Sequence, residues 1–206
     1  MLSDSQIENL LDGIEGGNTS AVDKLLAGHR GRLRQMVASR IDLRLIARVD
    51  PSDVVQDVLI EATRKLPEYC RSRNIPFYPW LRQMAWDRLV ELHRQHVRVQ
   101  KRSVQREVSP FGLSDQSVTA LVSRLPGYSL SPSAEAIRNE MKSRVRDHLN
   151  QLDETTREVL VMRYVEQLKL REIAASLGVS ESAVKSRHIR GLQSLATLMS
   201  DLEENQ

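Results

Sequence analysis

The sequence has little cysteine, few aromatics and no long apolar run, and each shortage removes a class of protein. A lone cysteine, Cys70, excludes an intramolecular disulfide, and five scattered histidines offer no Cys/His spacing of the zinc type. Aromatics make up only 4% of 206 residues, which suits helices packed on Leu, Val, Ile and Ala better than a β-sandwich. No apolar run approaches the roughly 18–20 residues of a membrane span, and the opening MLSDSQIENLLDGIEGG lacks the basic start of a signal peptide. The expectation is a cytoplasmic protein with no membrane insertion, and nothing in the composition calls for a cofactor or metal.

Charge is present but uneven. Residues 1–20 hold four acids and no Lys or Arg, residues 21–110 hold 18 bases against 10 acids, and residues 111–206 hold 12 against 13. A basic middle stretch of this kind suits phosphate, so nucleic acid enters as a candidate partner.

The apolar period is helical nearly throughout, and the predicted fold is all-α: two small helical domains, 1–106 and 133–206, joined by a flexible linker at 107–132. A short amphipathic helix is expected over 4–15, ended by Gly16-Gly17, and a longer one capped by Ser20 reaches about Ile46. Asp50-Pro51-Ser52-Asp53 reads as a helix start, with Asp50 as N-cap, Pro51 in the first turn and Asp53 at the positive end of the dipole. That helix buries Val54, Val55, Val58, Leu59, Ala62 and Leu66 and is expected to stop before Pro67, leaving 68–76 as a basic polar loop that includes Cys70. The next runs from Phe77 to about Arg106, and its stretch 82–106 carries seven Lys or Arg against two acids.

The segment IAASLGVSESAVKSRHIR has helix-turn-helix spacing. Ala174 permits close approach of two helices, Gly178 suits a left-handed turn, and Ile173, Leu177, Val179 and Val184 form a small shared core. Ser180 caps the second helix, while Lys169 stands where a capping Ser or Thr is usual and Gly191 interrupts the last helix at a cost near ~1 kcal/mol. The exposed face would present Ser180, Glu181, Ser182, Lys185, Ser186, His188 and Arg190 to phosphates and base edges, with Arg187 partly structural.

Both halves together resemble one family. LDETTREVLVMRYVEQLKLREIAASLGVSESAVKSRHIRGLQSL is similar to region four of bacterial sigma factors of the extracytoplasmic-function group, and residues 50–100 (DPSDVVQDVLIEATRKLPEYCRSRNIPFYPW and onward) resemble region two of the same group, in the same order. The resemblance implies a protein that is not itself an enzyme. It would bind core RNA polymerase and promoter DNA and direct promoter-specific initiation, and it leaves an anti-sigma factor open as a further partner.

It also implies roles for residues. Asp50, Asp53, Gln56, Asp57 and Glu61 would dock on the polymerase, although taken alone they read more plainly as a solvated helix face. The loop Tyr69–Pro76 would capture a flipped base of the minus-10 element, with Arg71, Ser72, Arg73 and Asn74 in the loop and Arg82, Arg88, Arg94 and Arg98 along the following helix. Residues 180–190 would read the minus-35 element. Asp87 stands where the family commonly has Asn, and an acid there repels phosphate. Phe77, Trp80 and Trp86 are candidates for base stacking, with core packing the better reading of Trp80.

Three rivals make different demands. A stand-alone helix-turn-helix regulator of the response-regulator kind needs a receiver domain with alternating strands. A helical metalloenzyme would need a third ligand beside His93 and His96. A helical adaptor would show no salt-dependent affinity for DNA.

Overall fold

The computed structural model describes residues 2–41, 49–100, 115–124 and 135–203, with the side chains of 96–100, 115–116, 135–141 and 198–203 outside the description. Its described elements are helical, and they fall into two compact units, Met1–Gly112 and Leu113–Gln206.

In the first unit α1 (Asp4–Glu15) starts on a capping box: Ser3 Oγ accepts from Gln6 N at 3.2 Å and Gln6 Oε1 accepts from Ser3 N at 2.8 Å. α2 (Thr19–Arg40) follows, two residues earlier than a Ser20 cap would allow, with Asn18 at the N-cap position. Leu25, Leu33, Met36 and Val37 are its fully buried face. The expected run to Ile46 is interrupted at Arg40, because the buried Ile41 adopts extended backbone, its N–H closing the helix on Val37 O at 2.9 Å, and residues 42–48 lie outside the description. α3 (Pro51–Ser72) begins as its sequence dictates, Asp50 Oδ1 accepting from Ser52 N at 2.6 Å.

α3 does not stop before Pro67. Proline inside a helix forfeits one backbone hydrogen bond and costs about 3 kcal/mol. Leu66, Tyr69 and Cys70, spaced i, i+3, i+4, are all buried on the turn that spans it. Burying large apolar side chains contributes about 1.5–3 kcal/mol each, so the apolar stripe wins over the proline. Cys70 is therefore a buried helix residue and not a loop thiol, and burial raises its pKa. Arg71 and Ser72 likewise belong to the last helical turn, and the connection to α4 (Phe77–Gln100) shrinks to Arg73–Pro76.

The second unit starts with α5 (Asp115–Val122), inside the segment expected to be linker. The stretch VTALV there is short, but Val118, Leu121 and Val122 are buried against Val145 and Leu149 of α6 (Glu135–Gln151) and against Leu160, Val161, Val165 and Leu195. An isolated eight-residue helix is marginal in water; this one persists by closing a core. The remainder of the expected linker, with the expected helix start at Pro132, falls on residues outside the description.

α7 (Glu154–Leu160) is capped by Asp153, whose Oδ1 accepts from Thr156 N at 2.9 Å and Thr155 Oγ1 at 2.7 Å; these bonds hold its carboxyl well below the usual range. The helix then widens into a π turn over Val161–Val165, closed by Glu166 N on Val161 O at 3.1 Å, and the wider turn keeps Val161, Met162 and Val165 all buried. α8 (Leu170–Leu177) and α9 (Glu181–Glu203) complete the unit.

Gly191 owes its place in α9 to Leu160. A Cβ there would stand 2.9 Å from Leu160 Cδ1 and 3.0 Å from Cγ, with Leu160 itself fully buried. Gly191→Ala gains about 1 kcal/mol of helix propensity and incurs overpacking worth roughly 1–3 kcal/mol, so we expect a net loss near ~1 kcal/mol. In thermal unfolding followed by circular dichroism this reads as a fall of roughly 4–8 °C for the second unit; a rise would show that Leu160 yields freely.

Candidate nucleic-acid interface

Three surfaces bear on function. The first is the outer arc of α3, where Asp53, Gln56, Asp57, Ile60 and Glu61 share one face at helical spacing, opposite the buried Val54, Val55, Val58 and Ala62. Ile60 was not singled out by the sequence reading, yet it is 47% exposed in the middle of this acidic and amide arc. Its signal in the sequence is an isoleucine three residues after Asp57. Asp50 stays exposed, but its carboxylate is occupied by the Ser52 N–H and its pKa is lowered chiefly by that bond. Glu61 pairs with Lys65 at 2.6 Å, a solvent-screened i, i+4 pair.

The second surface surrounds the turn between α3 and α4. Arg73 ends α3 in the left-handed region at φ 37, a conformation that costs a non-glycine residue roughly 1–2 kcal/mol. Tyr69 supports the turn from below: its hydroxyl donates to Ile75 O at 2.9 Å, and its ring packs against Trp80 at 4.6 Å and Phe77 at 5.5 Å. Burial pushes the Tyr69 hydroxyl up to about 12, so it remains a donor. Trp80 is half-buried within this aromatic cluster. Asn74, Arg71 and Ser72 are exposed around it.

Several expected DNA contacts are not free to form. Arg82 is only 3% exposed, with its guanidinium 5.8 Å from the Trp86 ring centre, and Arg40 approaches the same ring at 5.4 Å. The helical turn that carries Arg82 faces inward, so its charge belongs to the interior and does not reach phosphate; Trp86, half-buried under two cations, is a packing residue as well. Arg88 donates through Nη2 to Asp57 Oδ2 at 2.8 Å, which joins two residues expected to serve different partners. Arg73 is held by three carboxylates of α1: Glu8 at 3.0 Å, Asp12 at 2.8 Å and Glu15 at 3.2 Å. Arg94 is exposed, and the Arg98 side chain lies outside the described residues. Among the described residues no group of three His, Cys, Asp or Glu side chains could hold a metal ion.

The third surface is the helix-turn-helix of α8 and α9. Gly178 adopts the left-handed conformation at φ 64, and the Val179 N–H closes on Ala174 O at 3.1 Å. Lys169 has no oxygen with which to cap α8, but the buried Glu172 reaches back to the Lys169 N–H at 2.8 Å and supplies half of a capping box. Ile173 and Val184 are fully buried between the two helices, with Leu177 and Val179 half-buried. Ser180 Oγ accepts from Ala183 N at 3.2 Å, so this hydroxyl serves α9 as its cap.

The outer face of α9 exposes Glu181, Ser182, Lys185, Ser186, Ile189 and Arg190, while Arg187 is half-buried. Ile189, 54% exposed one turn after Lys185, is the member that the sequence reading passed over. His188 is not on this face. It is half-buried against Tyr164, with ring centroids 5.6 Å apart and Tyr164 Oη 2.9 Å from Nε2, so its role is to fix α9 to the π turn.

Burial, reinforced by the Arg163 charge, lowers the His188 pKa below its ordinary 6.5. Above pH 6.5 the ring is neutral in the folded and the unfolded chain, and the Tyr164 interaction is fully present. As pH falls through 6.5 the unfolded chain takes the proton first, so stability declines until the folded ring also protonates. Amide hydrogen exchange in Val161–Val165 should therefore quicken between about pH 7 and pH 5, after correction for the intrinsic rate, and His188→Gln should flatten that change; an unchanged slope in the variant would assign it to other groups.

Comparison with known proteins agrees with this arrangement. The model of Sigma-70 region 2 matches residues 26–99 and that of Sigma-70 region 4 matches residues 148–197. The chain is 28% identical over 183 residues to the RNA polymerase sigma factor CnrH of Cupriavidus metallidurans, covering 89% of this chain and 88% of that one. It is 27% identical over 187 residues to the ECF RNA polymerase sigma factor SigD of Mycobacterium tuberculosis, covering 85% and 81%. A solved structure of CnrH in complex with the cytosolic domain of CnrY superposes with a TM-score of 0.55 at 25% identity, covering 95% of this chain and 98% of that one. With regions 2 and 4 both matched, in order and across more than half its length, the chain belongs to the extracytoplasmic-function group of the sigma-70 family and acts with RNA polymerase in promoter-specific transcription initiation.

Proposed function

We propose that the three surfaces divide the work of initiation. The α3 arc of Asp53, Gln56, Asp57, Ile60 and Glu61 docks on core RNA polymerase. The turn at Arg73–Pro76, with Arg71, Ser72 and Arg94, holds the separated minus-10 strand, and the α9 face of Glu181, Ser182, Lys185, Ser186, Ile189 and Arg190 reads the minus-35 element as duplex.

The observation that carries the docking assignment is Ile60. An isoleucine half-exposed among carboxylates gains by burial against a partner, while the surrounding acids supply orientation toward a basic surface. For the minus-10 turn, an exposed polar rim over an aromatic floor suits an unstacked base. On α9, a cation pair beside hydroxyls and an apolar tip matches the mixed chemistry of a major groove, including the thymine methyl.

The protein contributes binding energy and selection, and the polymerase performs the chemistry. A factor that acts with RNA polymerase on promoter DNA works in the cytoplasm. No described helix is long and apolar enough to cross a membrane. The solved complex of CnrH with the cytosolic domain of CnrY supports a further protein partner here, an anti-sigma factor.

Transcription in vitro with core polymerase, with and without this protein, on pooled promoter DNA tests the reading. Start sites sharing two upstream motifs at fixed distances support it. Duplex binding without association to core enzyme, and without directed starts, would return the chain to a stand-alone regulator.

A further inference from the structure

Residues 1–20 carry four acids and no base, and three of the four meet one arginine. Glu8, Asp12 and Glu15 are spaced i, i+4, i+7 and so share one face of α1. Their carboxylates converge on Arg73 at 3.0, 2.8 and 3.2 Å. α1 is fixed in place by the buried Leu11 and by its capping box, so the acids are presented by a rigid element and not by a loose tail.

Arg73 sits at the hinge of the α3–α4 turn, in a left-handed conformation that its own side chain does not favour. Three anions around one guanidinium reproduce what a strand of phosphates would offer it. The carboxylates themselves are well exposed, which keeps the pairs solvent-screened and individually weak. A clasp of that strength holds the cation in the free protein yet yields to a polyanion whose binding releases counterions.

We propose that α1 is an intramolecular phosphate mimic: Glu8, Asp12 and Glu15 occupy Arg73 and hold the α3–α4 turn closed to single-stranded DNA until the strand displaces them. This rests on the proposed role of that turn in holding the minus-10 strand. It makes α1 a restraint on strand capture before polymerase and promoter are both engaged. It also assigns a purpose to an acidic segment that would otherwise repel the DNA next to which it lies.

The test is a cycle of four full-length proteins: the wild type, the triple variant Glu8→Gln, Asp12→Asn, Glu15→Gln, the single variant Arg73→Gln, and all four changes together. Each is combined with core RNA polymerase and titrated with a fluorescent single-stranded DNA of mixed sequence at low and moderate salt. Circular dichroism is used to match helix content, which the exposed positions of the acids should preserve.

Neutralising the acids should tighten strand binding roughly three- to ten-fold when Arg73 is present, and clearly less when Arg73→Gln is also present. The second background measures the general gain from removing negative charge. An equal gain in both backgrounds would overturn the mimic, because the acids would then act only through net charge. If the triple variant binds the strand more weakly while Arg73→Gln also weakens it, the acids position Arg73 for DNA instead of withholding it; the mimic fails and the strand-holding role of the turn stands. If Arg73→Gln changes nothing with the acids neutralised, the role of Arg73 in the turn fails, and the mimic with it.

Discussion

Asp53→Arg combined with Asp57→Arg should lower the apparent affinity for core RNA polymerase by roughly 100-fold or more, with specific transcript reduced in proportion. Placing like charge against a basic docking surface costs several kcal/mol, and about 2.7 kcal/mol already corresponds to 100-fold. The fold should survive. Asp53 is exposed, and Asp57 pairs with Arg88 at 2.8 Å in a solvent-accessible bridge worth about 0–1 kcal/mol. Titration of labelled protein with core enzyme, beside a thermal melt, separates the two effects. A melt lowered by many degrees would mean that α3 had been disrupted. An unchanged melt with unchanged affinity would remove α3 from the polymerase interface. Ile60→Ser tests the apolar centre of the same arc without altering charge, and weaker core binding is expected there too.

Lys185→Ala with Arg190→Ala should reduce transcription from a cognate promoter by roughly 10- to 100-fold while leaving core binding unchanged. A side chain that reads a base edge is worth about 1–3 kcal/mol, and removing a cation that pairs with phosphate also lowers the salt dependence of binding. Both side chains are exposed on α9, whereas its packing rests on Val184, Leu195 and the Tyr164–His188 pair, so truncation leaves the helix seated. The readout is transcription on promoters carrying substituted minus-35 elements. A decrease confined to particular bases identifies reading; a uniform decrease across all substitutions identifies phosphate positioning. No decrease would place minus-35 recognition on another face.

Much of the fold was legible because it is local. Asp50-Pro51 starts a helix wherever it stands before an apolar period, and Ala174, Gly178 and Ser180 meet turn requirements that depend on neighbours a few residues away. The exposed faces of α3 and α9 followed from the same period, and so did the inward direction of Val54, Val55, Val58, Ala62 and Leu66.

What sequence reading placed wrongly depended on partners distant along the chain. Pro67 is a local stop signal, yet α3 continues because Tyr69 and Cys70 find a core beyond it. Residues 115–122 look like linker until Val145 and Leu149 are there to bury Val118 and Leu121. Arg82 and His188 carry the residue types expected of a nucleic-acid surface, and only packing against Trp86 and Tyr164 turned them inward. Arg73 and the acids of α1, about 60 residues apart in sequence, meet only in three dimensions. The sequence by itself determined the all-helical class, the helix starts at Asp50 and Ser180, the turn of the helix-turn-helix and the family. The tertiary structure decided which charged side chains remain available to a partner, because that depends on long-range packing and pairing, and residue type with local spacing does not encode it.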